Sequence, residues 1–223
     1  MRMLILDTET SGLDPENDRI IELACLELIN NVATENKFHR YYNPGNIVIS
    51  HQAEEIHGLN NSFLSKFPTF DDSTNEFLEF VGDSPFIIHN AQFDMSMLNA
   101  SLNRIGKKTF NISKALCTLE MAKKKFPGSK NNLNALCRRF NISLESREKH
   151  GALTDCYLLL RVYTELIGGK QESLNLLPET VSLEKEFSLP DQVEPIMVNI
   201  SPEEKRLHEN TVKSIPNPIW KLS

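Results

Sequence analysis

The sequence predicts an α/β fold in which a mixed five-stranded sheet is flanked by helices and followed by an extended C-terminal tail. Two observations support this prediction. Three strand-like segments come first, and after residue 70 short strand-like segments alternate with helical ones, an order typical of a mixed sheet with helices packed on it. The periodic segments end near Gly169, and the last 55 of the 223 residues contain six of the 11 prolines.

The first predicted strands lie at residues 3–9, 20–29 and about 36–42. The turn-forming sequences "DPEND" and "NNVAT" separate them, and this spacing indicates an antiparallel meander. A helix is predicted over residues 70–81, where apolar residues fall at Phe70, Phe77, Leu78 and Val81.

The following elements alternate between strand and helix. Short buried strands are predicted at residues 85–89 and 114–117, and helices at 92–105, 119–126, 132–140 and 152–167. The dipeptide Pro127–Gly128 separates two of these helices. We therefore expect one domain over residues 1–169, a flexible linker over 170–195 and a last segment over 196–223, with a short amphipathic helix near residues 201–212.

The composition is that of a soluble, cytoplasmic protein. There is no apolar run of the roughly 18 residues that a membrane span requires, and no signal peptide is visible. The four cysteines form no C-x-x-C pair and are expected to be reduced. The net charge of −6 disfavours a module that wraps nucleic acid unaided, although it allows an enzyme that acts on one chain end.

The first predicted strand ends with two acids, Asp7 and Glu9, in the sequence "LILDTETSG". Residues two apart in a strand project to the same face, so their carboxylates should point together from a buried element. Such an arrangement requires a cation or hydrogen-bond donors nearby.

Two more acids occupy unexpected positions. Asp155 lies within an apolar stripe of the last predicted helix, with Leu158, Leu159 and Val162 on the same face. Asp94 follows the strand "PFIIH" at the start of a helix, where an anion is favoured by the helix dipole. Each acid taken alone could be a solvated charge or a helix cap, and only the joint pattern suggests a shared cleft.

Four carboxylates in one cleft would repel one another, by on the order of 4 kcal/mol for a pair at about 4 Å and an effective dielectric near 20. Divalent cations remove this repulsion, and oxygen ligands suit Mg²⁺ or Mn²⁺. Two such ions can stabilise the attacking and leaving oxygens of a phosphodiester. His150, five residues before Asp155, is off the helical register and is expected in the loop or first turn ahead of the helix, where it could accept a proton from water.

These residues together resemble the DEDD exonuclease superfamily, in the branch whose third motif contains histidine. "LDTETSG" is similar to its first motif, "IIHNAQFD" to its second and "HGALTD" to its third. The tyrosine of the sibling branch is absent. The resemblance implies a ribonuclease H-like fold and 3′→5′ exonuclease activity, with Asp7, Glu9, Asp94 and Asp155 holding two metal ions and His150 as general base.

The segments "IHGL" and "FPGSKNNLNALCRRF" are similar to the family of epsilon proofreading subunits of bacterial DNA polymerase III. This closer resemblance covers residues 1–169 well and implies release of deoxynucleoside monophosphates from a DNA 3′ end. It also implies that the terminal nucleotide is held by Thr10, Leu13, Ile56, His57, Asn90 and Phe93. Cys117 departs from the aspartate that many relatives have at this position.

The tail contains two segments that resemble partner-binding peptides. "QESLNL" has the Q-x-x-L-x-L form of a peptide that binds the sliding clamp (beta), through Gln171, Leu174 and Leu176. The end of the chain resembles the epsilon segment that docks on the polymerase III catalytic (alpha) subunit, with the apolar anchors Ile196, Val198, Leu207, Val212 and Trp220. Tethering would supply the effective concentration on DNA that an acidic enzyme lacks.

Two alternatives to a DNA proofreading exonuclease remain open from the sequence. Related enzymes trim RNA 3′ ends with the same five residues, and the sugar preference is not evident from the motifs. The chain could instead be a catalytically inactive interaction subunit of a polymerase, although the complete set of five residues disfavours this.

Overall fold

A five-stranded mixed sheet forms the centre of the computed structural model, which describes residues 1–145, 147, 149–168 and 200–216. Its spatial order is β3-β2-β1-β4-β5. The first three strands pair antiparallel, whereas β1, β4 and β5 run parallel. Their C-terminal ends therefore lie at one edge. The strands are β1 (Arg2–Thr10), β2 (Ile20–Ile29), β3 (Val32–Tyr41), β4 (Phe86–Ile88) and β5 (Ala115–Cys117).

Helices connect and cover the strands. Two short helices follow β3, one long helix lies on each side of β4, and three helices follow β5; a single 3₁₀ turn (Ile112–Lys114) precedes β5. The helices of this unit are α1 (His51–His57), α2 (Asn61–Leu64), α3 (Phe70–Val81), α4 (Ala91–Arg104), α5 (Thr118–Lys125), α6 (Leu133–Arg139) and α7 (Ala152–Leu166).

The alternation of β1 divides the core into two layers. Leu4 and Leu6 pack with residues of α3 and α4 on one face of the sheet. Ile5 packs with residues of α5, α6 and α7 on the other face. Asp7 and Glu9 continue the odd-numbered series of Ile5, so they project towards the layer that contains α7. This placement brings the end of β1 to the last helix of the unit.

The predicted fold class is confirmed, and most elements begin and end within two residues of their predicted bounds. Strand β3 begins four residues earlier than predicted, because the turn uses only Asn30 and Asn31. Their φ angles of 52° and 64° form a two-residue hairpin turn of the kind that asparagine tolerates. The prediction had assigned the longer sequence "NNVAT" to the turn.

Helices α1 and α2 were not predicted. They are short, and α1 buries one side chain, that of His57, so little apolar periodicity marks it. Capping defines them instead: Ser50 and Asn60 accept hydrogen bonds at the two N-termini, and Gly58 ends α1 with a φ of 75°.

The chain divides into two units, Met1–Leu174 and Asn175–Ser223. The described part of the second unit contains helix α8 (Pro202–Ser214), predicted at residues 201–212. Its N-terminus has a capping box between Ser201 and Glu204, with Pro202 in the first turn. The predicted linker over 170–195 lies outside the described residues. None of the described helices has the length and apolar character needed to cross a membrane.

Candidate active site

The first two acids lie at the end of β1. Asp7 is opposite Ala24 and Glu9 opposite Glu22 in the antiparallel pairing with β2, and the register shifts directly after Glu9. Glu9 is buried although it is an acid. The strand thus places both carboxylates on one face, in line with its period of two, and α7 covers that face.

Asp94 reaches the same place from the other neighbour of β1. Strand β4 runs parallel to β1, and the left-handed Asn90, with a φ of 65°, begins α4 directly after it. Asp94 in the first turn is buried, and its Oδ1 atom accepts hydrogen bonds from the Thr8 amide at 3.2 Å and the Thr8 hydroxyl at 2.8 Å. Thr8 therefore joins the second acidic motif to the first.

Helix α7 brings the fourth acid. Asp155 is 4 % exposed, and carboxylate or ring atoms of Glu9, His150 and Asp155 all lie within 4.8 Å of one another, close enough to hold one metal ion. Arg147 donates from Nε to Oδ1 of Asp155 at 2.7 Å, and its second terminal nitrogen pairs with Oδ2. The four acids, which are distant in sequence and were expected to share a cleft, thus lie near enough for Asp94, Glu9 and Asp155 to act on the charge of Asp7.

His150 lies in the loop before α7, as its spacing from Asp155 predicted. Its amide donates to the carbonyl of Ile56 at 3.0 Å, and Lys149 donates to the carbonyl of Glu55 at 2.7 Å. These bonds satisfy carbonyl groups in the last turn of α1, which would otherwise lack helical partners. The loop is therefore fixed to α1, and the His150 side chain remains 41 % exposed beside Asp155.

The electrostatics of the cluster are those of a cation site. Burial, with repulsion from Asp94, Glu9 and Asp155, raises the pKa of Asp7 well above its usual range. Burial and neighbouring acids raise the pKa of Glu9 to about 8, and burial raises that of Asp94 to about 7. Carboxylate groups that repel one another in this way are suited to bind a divalent cation, because the cation would neutralise their charge.

A cavity of about 470 Å³ opens beside the cluster. Thr8 and Glu9 contribute to its wall, together with five residues predicted to hold the terminal nucleotide, namely Thr10, Leu13, Ile56, His57 and Phe93. Leu13 is 80 % exposed and Ile56 is 50 % exposed, an apolar surface suited to a flat ring. Asn90, the sixth predicted residue, is not part of this wall and instead forms the exposed N-terminal cap position of α4.

His57 has a polar atom available for a ligand. Its Nδ1 accepts from the Leu59 amide at 3.0 Å, and burial lowers its pKa, so the ring is neutral with the proton on Nε2. Among the described residues that buried nitrogen makes no hydrogen bond of normal geometry, although the Thr10 backbone lies near enough to act on the pKa of the ring. An unpaired donor in the wall of a cavity is costly unless a bound molecule accepts its hydrogen bond.

Three residues of the site were missed by the sequence analysis. Thr8 stands between two acids, and its position in the strand gave no indication that it would bond to Asp94. Glu22 is buried in an apolar strand opposite Glu9 and pairs with His39 at 2.7 Å. The isolated acid in "IIELA" could have revealed it. Arg147 lies within a charged run and had no distinguishing signal.

The family comparison matches this geometry. A family model described as Exonuclease matches residues 4–163, the region that contains all five predicted catalytic residues. The chain belongs to the exonuclease family. Members of this family are nucleases that depend on divalent metal ions, so the prediction of a metal-dependent hydrolase is confirmed.

Curated relatives of this exonuclease match most of its length. "DNA polymerase III subunit epsilon" of Rickettsia felis is 40 % identical in an alignment over 223 residues, gaps included. The alignment covers 96 % of this chain and 97 % of the relative. The protein of the same name from Salmonella typhimurium is 38 % identical over 76 % of this chain and 72 % of its own length. The prediction of a 3′→5′ exonuclease of the proofreading type is thereby confirmed.

Solved structures confirm the fold of this exonuclease. Exonuclease X, solved in complex with 5′ overhanging duplex DNA, has a TM-score of 0.59 at 24 % identity and covers 74 % of this chain and 90 % of its own. Escherichia coli exonuclease I, in complex with a dA16 oligonucleotide, has a TM-score of 0.65 at 16 % identity, over 74 % of this chain and 40 % of its own. The ribonuclease H-like sheet is shared with both.

The tail residues are mostly outside the described structure. This holds for the predicted clamp-binding residues Gln171, Leu174 and Leu176, and for the predicted polymerase-binding residues Ile196, Val198 and Trp220. The other two predicted anchors lie on α8, where Leu207 is exposed and Val212 is buried.

Proposed function

We propose that this exonuclease removes terminal deoxynucleoside monophosphates from DNA 3′ ends as the proofreading subunit of a bacterial replicative DNA polymerase III. The observation that carries the proposal is the cluster of four carboxylates, three of them buried and that of Asp7 partly buried, beside an open cavity at one edge of the sheet. Relatives named DNA polymerase III subunit epsilon, about 40 % identical over most of their length, support the choice of DNA and of the polymerase.

The four acids Asp7, Glu9, Asp94 and Asp155 would hold two divalent ions, Mg²⁺ or Mn²⁺. Such ions supply charge neutralisation for the attacking and leaving oxygens of the phosphodiester. The hydrogen bonds from Thr8 keep one oxygen of Asp94 in place and leave the other available as a ligand. The acids therefore act as a preorganised set of oxygen donors, in keeping with the preference of both ions for oxygen ligands.

His150 would act as the general base. Burial lowers its pKa, and the adjacent Arg147 guanidinium lowers it further, so the ring is neutral near pH 7. A neutral imidazole can accept a proton from water as the water oxygen bonds to phosphorus. The bond between phosphorus and the 3′ oxygen breaks, and that oxygen takes up a proton from solvent to become the 3′ hydroxyl of the shortened strand, while the released nucleotide has a 5′-monophosphate.

The cavity would hold the terminal nucleotide. Leu13, Ile56 and Phe93 offer apolar surface to the base, and His57 offers its unpaired Nε2 proton to an oxygen of the nucleotide. Thr10 and Asn90 complete the proposed set, Thr10 in the wall of the cavity and Asn90 at the start of α4. These contacts would place the last phosphodiester against the acids.

The choice of substrate is tested with 3′-labelled single-stranded DNA and an RNA of the same sequence, each with Mg²⁺, with Mn²⁺ and with EDTA. We expect labelled deoxynucleoside monophosphate as the first product, faster release from DNA, and no release with EDTA. Equal or faster release from RNA would contradict the DNA assignment and support an RNA 3′-end trimmer. Absence of cleavage together with normal polymerase binding would support an inactive subunit.

The tail is proposed to tether the domain to two partners. Residues 196–223 would dock on the polymerase alpha subunit through Ile196, Val198, Leu207 and Trp220, whereas Val212, also predicted as an anchor, is buried. The segment from Gln171 to Leu176 would bind the sliding clamp. Support comes from the apolar anchors in a sequence rich in charge, and from relatives whose name places them in DNA polymerase III.

Two variants test the tail, and each controls the other. Deletion of residues 196–223 should abolish co-elution with the alpha subunit while hydrolysis of free oligonucleotide and clamp binding remain unchanged. Alanine at Gln171, Leu174 and Leu176 should abolish clamp binding and leave alpha binding intact. Size-exclusion chromatography measures both, and persistent co-elution of the deletion variant with alpha would refute the docking proposal.

A further inference from the structure

Arg147 occupies both oxygens of a residue proposed to hold metal. Its Nε donates to Oδ1 of Asp155 at 2.7 Å and its second terminal nitrogen pairs with Oδ2, so the contact is bidentate. The two side chains are 5 % and 6 % exposed, which removes most of the screening that weakens surface ion pairs. Arg147 is therefore a strongly held counter-ion of Asp155.

The rest of the guanidinium is also engaged. One terminal nitrogen donates to Oδ1 of Asn134, and the other also lies 3.1 Å from Nδ1 of His150. Because arginine has only donors, the Nδ1 atom must accept and the His150 ring must be neutral in this arrangement. Arg147 thus holds Asp155 and His150 together with one planar group.

In this arrangement Arg147 competes with a metal ion for Asp155. The carboxylate oxygens that Arg147 occupies belong to the group in which Glu9, His150 and Asp155 lie close enough to share one ion. A guanidinium that holds both oxygens competes with a divalent cation for their lone pairs, and two positive groups at that distance would repel each other. The hydrogen bond from Arg147 occupies Nδ1 of His150 and leaves the ring proton on Nε2, so His150 can accept a proton from water only after Arg147 has withdrawn.

We propose that Arg147 is an internal cation which holds Asp155 in the metal-free enzyme and must release it when a divalent ion binds. Arg147 is then a positioning residue and a competitor. It stabilises an acid cluster that would otherwise be unneutralised, and it weakens metal affinity by the same contact. This inference rests on the metal site proposed above.

The test measures Mn²⁺ binding by titration calorimetry on the full chain, and the melting temperature in EDTA. Compared with the unsubstituted chain, Arg147→Gln should bind Mn²⁺ about tenfold more tightly, since one charge-assisted hydrogen bond corresponds to roughly that factor. It should also melt at a lower temperature in EDTA and recover with saturating Mn²⁺. Arg147→Lys, which keeps the charge without the fork, should fall between the two.

Arg40→Gln is the matched control, because it removes an exposed arginine that pairs with Glu76 on the surface. It should change neither measurement. Unchanged or weaker Mn²⁺ binding by Arg147→Gln would overturn the inference. That result is expected if Arg147 only stabilises the fold of the site. If Arg147→Gln does not fold in EDTA, Arg147→Lys is compared with the unsubstituted chain instead. Tighter Mn²⁺ binding by Arg147→Lys would then support the inference, and unchanged or weaker binding would overturn it. Absence of Mn²⁺ binding by the unsubstituted chain would refute the metal site itself.

Discussion

Replacing Asp7 with asparagine is expected to abolish exonuclease activity and to raise the melting temperature of the metal-free protein at pH 8. Asparagine has nearly the same shape but has lost the charge that a divalent ion would bind. We expect kcat to fall by on the order of a thousandfold or more, as for other groups that stabilise charge in a transition state. The rate is measured on 3′-labelled DNA with Mg²⁺.

The stability gain follows from the pKa shifts. The pKa values of Asp7, Glu9 and Asp94 are raised in the folded state, to about 8 for Glu9 and about 7 for Asp94. A raised pKa contributes stability at low pH that is lost as the pH rises through it. In EDTA the unsubstituted protein should therefore lose stability as the pH rises from the ordinary carboxyl range near 4 to about 8, and Asp7→Asn should lose less.

The size of this gain can be measured by calorimetry in EDTA at pH 8. Each 1 kcal/mol corresponds to roughly 2–4 °C in a domain of this size. Asp83→Asn is the control, because Asp83 is fully exposed and pairs with Lys114 at 3.4 Å. A lower melting temperature for Asp7→Asn than for the unsubstituted chain in EDTA would show that the acids do not repel one another as described.

The second large effect concerns His150. Substitution by glutamine should lower kcat by about 10²–10⁴-fold, the usual contribution of a positioned general base, while Mn²⁺ affinity changes little. The distinction matters because His150 is also near enough to Glu9 and Asp155 to be a metal ligand. His51→Gln, at an exposed position on α1, is the control. A marked loss of Mn²⁺ affinity in His150→Gln would make it a ligand instead.

The pH profile adds a second measurement of the same role. A base must be neutral, so activity should be present above the pKa of His150 and should fall as the pH drops through it. Burial places that pKa below the ordinary value of 6.5. Protonation of Glu9 and Asp94 acts in the same direction but is offset by high Mn²⁺. At saturating Mn²⁺ the activity of the unsubstituted enzyme should still fall as the pH drops. The residual activity of His150→Gln should not show this fall.

Much of the site could be predicted because its acids contradict the local pattern. Asp7 and Glu9 end an apolar strand with the period of two that places them on one face, and Asp155 interrupts an apolar helix stripe. A buried charge without a local partner requires a distant one, so the acids indicate one another. The five-residue spacing between His150 and Asp155 similarly indicated that His150 does not share the helix face of Asp155 and lies ahead of the helix.

Other features could not be predicted because they depend on how distant segments meet. Arg147 stands in the charged run "ESREKH", where an arginine is usually solvated, and its burial depends on the path of the loop that α1 holds through Ile56. The α1 helix itself has few buried residues and is defined by its caps. Thr8 became informative only when α4 placed Asp94 beside it.

The most direct test of the acid cluster is a crystal structure of the enzyme soaked with Mn²⁺ and a deoxynucleoside monophosphate, with anomalous scattering used to locate the ions. We predict two manganese peaks among Asp7, Glu9, Asp94 and Asp155, with the nucleotide in the cavity beside Phe93 and with Arg147 withdrawn from Asp155. Manganese bound elsewhere, or a cluster that stays free of ions while the nucleotide binds, would contradict the account.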